Sequence, residues 1–164
     1  MNNAIFLDRD GVINKNRNDY VKSIDELEIF PFVGNSIKKL KKMGFIVIVI
    51  TNQSAINRKL TTSYQVDLIH QKIQSYLYQF DTSIDKFYYC PHTPEQNCNC
   101  RKPKTELFLR AIKEFQINTK FSWMIGDNQS DLDAGRRINC SVFKVDNHFT
   151  LEDVTTQIEQ VLKH

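Results

Sequence analysis

Two aspartates, Asp8 and Asp10, follow directly on the short apolar run Ala4-Ile5-Phe6-Leu7. In an extended segment residues i and i+2 point the same way, so both carboxylates face one side of the strand end, and Arg9 between them is turned away into a structural role. Two acids held together repel unless a cation or a proton intervenes. Asp127 ends another apolar run and supplies a third carboxylate, and Asp8, Asp10 and Asp127 together suit a hard ion such as magnesium. A single aspartate after a strand reads as a turn or a cap. Here polar residues end three apolar runs in succession: Asp8-Arg9-Asp10-Gly11, Thr51-Asn52-Gln53-Ser54 and Gly126-Asp127-Asn128. The chemistry that fits is attack of a carboxylate on phosphorus, which divides a slow hydrolysis into two easier steps. Asp8 is the expected nucleophile, and Asp10 the group that protonates the departing alkoxide and then deprotonates water. The Thr51 hydroxyl, loop amides and the Lys102 ammonium are placed to hold phosphoryl oxygens.

A second cluster lies at Cys90-Pro91-His92 and Cys98-Asn99-Cys100. Three thiolates and an imidazole make a Cys3His set suited to tetrahedral zinc, and four protein ligands leave no open position, so the expected zinc is structural. Plain surface thiols are the alternative. A closed metal site stiffens a short loop, here the one leading into Arg101 and Lys102. Cys140, among apolar and small residues, reads as a buried inert thiol. His70, His148 and His164 read as surface or packing residues, and Phe87, Tyr88 and Tyr89 as a packed strand.

These residues need elements to position them. Short, nearly continuous apolar runs at 4–7, 45–50, 86–89, 121–125 and 141–145 predict strands covered on both faces. Between them, Ile37, Leu40 and Met43 mark one helical stripe that Gly44 stops, and Val66, Ile69, Ile73 and Leu77 mark another within a helix over 62–80. Helices are expected over 107–115 and 131–138, and a last one carries Val154, Ile158, Val161 and Leu162. Alternating strands and helices predict an α/β fold, a Rossmann-like, doubly wound and mostly parallel sheet with no large cap domain. Such sheets bind ligands beyond the carboxyl ends of their strands, where the acidic and polar residues fall.

The chain of 164 residues, 41% hydrophobic and 25% charged, suits one domain over 1–164. No apolar run is long enough to span a bilayer, and the N-terminus lacks the basic flank of a secretory signal, so a cytoplasmic location without membrane contact is expected. A net charge of +3 spread along the chain disfavours nucleic acid and suits a small anionic substrate. A monomer is expected. A zinc-stabilised binding module without chemistry is the rival reading.

Four segments in order, Phe6-Leu7-Asp8-Arg9-Asp10-Gly11-Val12-Ile13-Asn14, Thr51-Asn52-Gln53-Ser54, Arg101-Lys102-Pro103-Lys104 and Gly126-Asp127-Asn128-Gln129-Ser130-Asp131, resemble the motifs of the haloacid dehalogenase superfamily. Their wording is similar to the family of D-glycero-D-manno-heptose 1,7-bisphosphate 7-phosphatases, with histidinol-phosphate phosphatases as neighbours. The resemblance implies a phosphomonoester hydrolase with an aspartyl-phosphate on Asp8, Asp10 as acid and base, Thr51 and Lys102 as phosphoryl stabilisers, and Asp127 as a magnesium ligand. It also implies that Arg101 recognises the substrate, a small phosphorylated sugar. Asn52, Gln53, Ser54 and Arg58 belong to a run similar to the heptose form, though Ala55 stands where that form has Gly. Arg58 fits either a solvated loop charge or an anion contact. Asn128 stands where the family often has Lys. Residues 16–20 resemble its substrate loop with one residue more, and both families carry the zinc loop.

Overall fold

The structure, a computed structural model, describes residues 1–163. Five strands, β1 (Ala4–Leu7), β2 (Ile46–Asn52), β3 (Lys86–Cys90), β4 (Trp123–Gly126) and β5 (Ser141–Lys144), form one sheet in the order β3-β2-β1-β4-β5. Every neighbouring pair is parallel, so the sheet expected to be mostly parallel is wholly so. The helices are α1 (Val33–Lys42), α2 (Ser63–Tyr78), α3 (Glu106–Phe115), α4 (Gln129–Arg137) and α5 (Leu151–Leu162).

The apolar strands are continuous because both faces are covered. Ile5, Leu7, Val47, Val49 and Ile125 point to one side, against Ile37 and Leu40 of α1, Ile69, Ile73 and Leu77 of α2, and Val154 and Ile158 of α5. Ala4, Phe6, Ile48, Ile50 and Met124 point to the other, against Leu107, Phe108 and Ala111 of α3 and Ala134 of α4. Phe6 and Phe108 meet edge to face with ring centroids 5.2 Å apart. Burying each such side chain contributes about 1.5–3 kcal/mol.

The strand order decides where the site falls. From β1 the chain builds outward through β2 and β3, then returns to place β4 on the other side of β1. The connections on the two sides leave β1 and β4 in opposite directions, which opens a crevice beyond their carboxyl ends. Asp8 and Asp127 are the first residues past those two strands. The crevice is narrow at its root, where the Asp8 amide donates to the Ile125 carbonyl at 3.0 Å.

Several boundaries differ from expectation. Strand β2 runs on through Thr51 and Asn52, which pair in register with Tyr89 and Cys90, because a backbone ladder continues regardless of side-chain polarity. Strand β4 starts at Trp123, since Thr119–Phe121 forms a 3₁₀ turn capped by the Asn118 side chain. Helix α4 begins at Gln129, where a capping box between Asn128 and Asp131 starts it two residues early. Helix α2 covers less than 62–80: Thr62 is its cap and its last helical residue is Tyr78. No helix among the described residues is long and apolar enough to cross a membrane. His164 lies outside the described residues.

Candidate active site

Asp8 is nearly buried, and its Oδ1 accepts from Lys102 Nζ at 2.8 Å. The same ammonium lies 2.7 Å from Asp131 Oδ1 and donates to the Ile50 carbonyl at 2.6 Å, so three oxygens fix it and it is 3% exposed. The Lys102 main chain is also clamped: its N–H donates to Asn52 Oδ1 at 3.0 Å, and Asn52 Nδ2 donates to its carbonyl at 3.3 Å. Oxygens of Asp8, Asp127 and Asp131 come within 4.8 Å of one another. A set of three carboxylates with one shared lysine carries surplus negative charge in a buried place, which fits a hard divalent cation. Burial pushes the Asp8 carboxyl from 3.8 up to about 8, against the pull of Lys102 and with the repulsion of Asp131 and Asp10 added. Asp127 is raised as well, by burial and by Asp131. Gly11 makes room for this group: a Cβ built there would fall 2.1 Å from Asp127 Oδ2, and its φ of +85° is one that L side chains rarely adopt.

The carboxylate oxygens that gather here are those of Asp8, Asp127 and Asp131, and the Asp10 side chain, expected beside the metal, is not among them. The reason is that both oxygens of Asp10 are engaged elsewhere. Oδ1 accepts from Arg9 Nη2 at 3.0 Å, Arg9 Nε at 3.3 Å and Asn14 Nδ2 at 3.0 Å, and Oδ2 accepts from Gln53 Nε2 at 2.9 Å. Burial would raise this carboxyl, but Arg9 and the side-chain donors outweigh it and hold it below the ordinary value. Arg9 is structural, as expected, yet it does not turn away from the aspartates; strand alternation ends at Leu7 and the turn that follows folds its fully buried guanidinium back onto Asp10.

An open cleft of about 300 Å³ lies over Asp8 and Asp10. Its wall includes Asn52, Ser54, Arg58, Arg101, Lys102, Asn128 and Asp131, together with Asn16, Arg17 and Tyr20. Thr51 is fully buried beside it, and its Oγ1 accepts from Gln53 Nε2 at 2.9 Å. Gln53 is 3% exposed and lies behind the cleft wall, with its amide spent on Thr51, Asp10 and Arg9. Arg58 Nε donates to the Ser54 hydroxyl at 3.4 Å, and Arg101 Nη1 donates to the His92 carbonyl at 3.3 Å. Arg17 lines the cleft and pairs within its own loop with Asp19 at 3.0 Å.

The Cys3His set is drawn together. Cys90 Sγ lies 3.6 Å from Cys98 Sγ and 3.1 Å from Cys100 Sγ, and His92 Nδ1 lies 3.4 Å and 3.2 Å from Cys90 and Cys100. Ligands around a tetrahedral zinc stand about 3.5–3.8 Å apart, so these four side chains fit that ion with small adjustments. His92 contributes twice: its ring belongs to the cluster and its carbonyl anchors Arg101. Cys140 is buried, which pushes its thiol up to about 12 and leaves it inert. His70 is a packing residue, stacked on Phe87 with centroids 4.4 Å apart, while His148 sits in an exposed turn.

Residues 4–139, which carry the acid pair after the first strand, the lysine that closes on it and the acids after the fourth strand, match the family of haloacid dehalogenase-like hydrolases. The chain belongs to that family. A D-glycero-beta-D-manno-heptose-1,7-bisphosphate 7-phosphatase of Helicobacter pylori (strain ATCC 700392 / 26695) is 42% identical over 135 residues, spanning 82% of this chain and 78% of that one. The protein of the same name from Escherichia coli (strain K12) is 39% identical over 143 residues, spanning 83% and 74%. Among solved structures, the D,D-heptose 1.7-bisphosphate phosphatase of B. bronchiseptica, complexed with magnesium and phosphate, superposes with a TM-score of 0.92 at 28% identity, covering 97% of this chain and 99% of that one.

Within this haloacid dehalogenase-like site, Asp131 is the residue that sequence reasoning left without a role. In the first turn of a helix an aspartate looks like a cap, and it is one, since its Oδ2 accepts from Asn128 N–H at 3.1 Å. The signal available was its place four residues after Asp127, one helical turn, which brings two carboxylates to the same end of α4. Arg17, which lines the cleft, was likewise not named by itself, although it lies in the 16–20 segment that resembles the family's substrate loop.

Proposed function

We propose that this chain removes the 7-phosphate of D-glycero-D-manno-heptose 1,7-bisphosphate through an aspartyl-phosphate on Asp8. The supporting observation is the buried Asp8 carboxylate bonded to Lys102 at the floor of a cleft whose upper wall carries cations. Asp8 bonds to phosphorus as the P–O bond to the sugar breaks; the electron pair stays on the sugar oxygen, and Asp10 gives it a proton. Asp10 then takes a proton from water as the water oxygen bonds to phosphorus and the P–O bond to Asp8 breaks. Lys102 and the Thr51 hydroxyl hold the phosphoryl oxygens, and Asn52 keeps the Lys102 peptide in place. Asp8, Asp127 and Asp131 would hold magnesium, which would supply positive charge beside the transferring group.

Two readings of the substrate differ in the charge of its far end. Histidinol phosphate carries an ammonium there, and heptose bisphosphate a second phosphate. Arg58 and Arg101 line the cleft with no ion pair to either among the described residues, though both lie within the electrostatic reach of Glu95, and two such cations favour the second phosphate. The similarity to relatives named for the heptose substrate supports the same choice. The test is catalytic efficiency on heptose 1,7-bisphosphate and on histidinol phosphate at one magnesium concentration. A clear preference for the bisphosphate is expected; preference for histidinol phosphate would overturn the substrate while leaving the mechanism standing.

A further inference from the structure

Arg9 is fully buried, a costly place for a guanidinium unless its donors are met. Among the described residues its one ionic partner is Asp10. Its other donors go to uncharged acceptors: Nη2 reaches Gln53 Oε1 at 3.4 Å, and Nη1 stands 3.3 Å from His70 Nε2. A guanidinium has no acceptor, so Nε2 must carry the free lone pair, and the ring is the neutral tautomer with its proton on Nδ1. His70 comes from α2, 6% exposed and stacked on Phe87, so this acceptor is held by packing. The result is a chain of contacts from α2 to the reaction centre. His70 fixes one edge of Arg9, the other edge grips Asp10 Oδ1, and Gln53 ties Arg9, Asp10 Oδ2 and Thr51 together. Neither Arg9 nor His70 lines the cleft.

We propose that Arg9 and His70 are positioning residues that hold the Asp10 carboxyl at the angle needed to protonate the leaving oxygen. This rests on the reading of Asp10 as the acid and base. A carboxyl that rotates freely on its strand end meets the leaving oxygen in few of its orientations, and a misplacement of about 1 Å costs on the order of 10²-fold in rate.

The test exploits the leaving group. A sugar alkoxide needs Asp10's proton, whereas the p-nitrophenolate of p-nitrophenyl phosphate leaves without one. His70→Leu, which removes the acceptor, is expected to lose about 10- to 100-fold more kcat/KM, which reports the leaving-group step alone, on heptose bisphosphate than on p-nitrophenyl phosphate. His70→Gln, which keeps an acceptor oxygen, should recover most of that loss. Arg9→Lys keeps the charge but not the fork, and should show the same selective loss if His70→Leu does not fold. Equal losses on both esters from these variants, or none, would overturn the inference. Asp10→Asn, measured in parallel, separates the two levels. If it is selective and the His70 and Arg9 variants are not, the positioning role falls alone. If it is not selective, the acid role of Asp10 falls and the positioning role with it.

Discussion

Two carboxyls two residues apart, Asp8 and Asp10, sit in opposite electrical surroundings. Burial and neighbouring acids push Asp8 up to about 8, while Arg9 and side-chain donors keep Asp10 below its ordinary value. A divalent cation beside Asp8, Asp127 and Asp131 would favour the charged Asp8 carboxyl that attack on phosphorus requires. The spacing of the two aspartates was legible because strand geometry is regular. The path of Arg9 was not, because alternation stops where the strand stops. Gly11 gives the first residue-scale prediction. In Gly11→Ala the added carbon would collide with Asp127 at a backbone angle alanine resists, so kcat/KM should fall by about 10²-fold or more with the fold retained. Steady-state kinetics beside a thermal melt would check this, and near-normal turnover would count against Asp127 in the site. His70 gives the second. Burial, and then Arg9, lower its pKa from 6.5 to about 3. The neutral ring therefore stabilises the fold above pH 6.5, and that contribution is lost as pH falls towards 3. Thermal midpoints measured across this range should fall less steeply for His70→Gln than for the parent chain.

At the scale of elements, the strands declared themselves by apolar runs and the helices by their stripes, since burial on two faces or on one leaves those patterns. What stayed hidden was polar: the end of β2 at Thr51 and Asn52, and the first turn of α4 with Asp131. Hydrophobic pattern carries no information about backbone pairing at polar positions, nor about which way a cap residue faces. The Cys3His loop shows one element serving two ends. Its residue types pointed to a cluster that could hold a metal, but the carbonyl of His92 on Arg101 is a main-chain contact that no side-chain pattern encodes. Loss of the metal should free that anchor. Cys98→Ser is expected to lower bound zinc and raise KM for heptose bisphosphate by about tenfold or more, with a smaller change on p-nitrophenyl phosphate. Metal analysis with paired kinetics would check it; an unchanged KM after zinc loss would separate the loop from substrate recognition.

For the molecule as a whole, the strand order is what makes a site of these parts. Placing β4 beside β1 brings residues 119 positions apart in sequence, Asp8 and Asp127, to one crevice, and Lys102 reaches it from the loop after β3. The α/β class was legible from alternation, and the crevice position from the general behaviour of open sheets. Side-chain geometry in the crevice needed coordinates. The claim on which the rest stands is that Asp8 becomes phosphorylated. The most direct measurement follows label from radiolabelled heptose 1,7-bisphosphate into protein, acid-quenched during turnover and mapped by peptide mass spectrometry. The account predicts phosphate on the peptide bearing Asp8 and none in Asp8→Asn, whose turnover should be lower by about 10³-fold or more. Label on another residue, or an unlabelled chain whose Asp8→Asn variant still turns over at the parent rate, would contradict it.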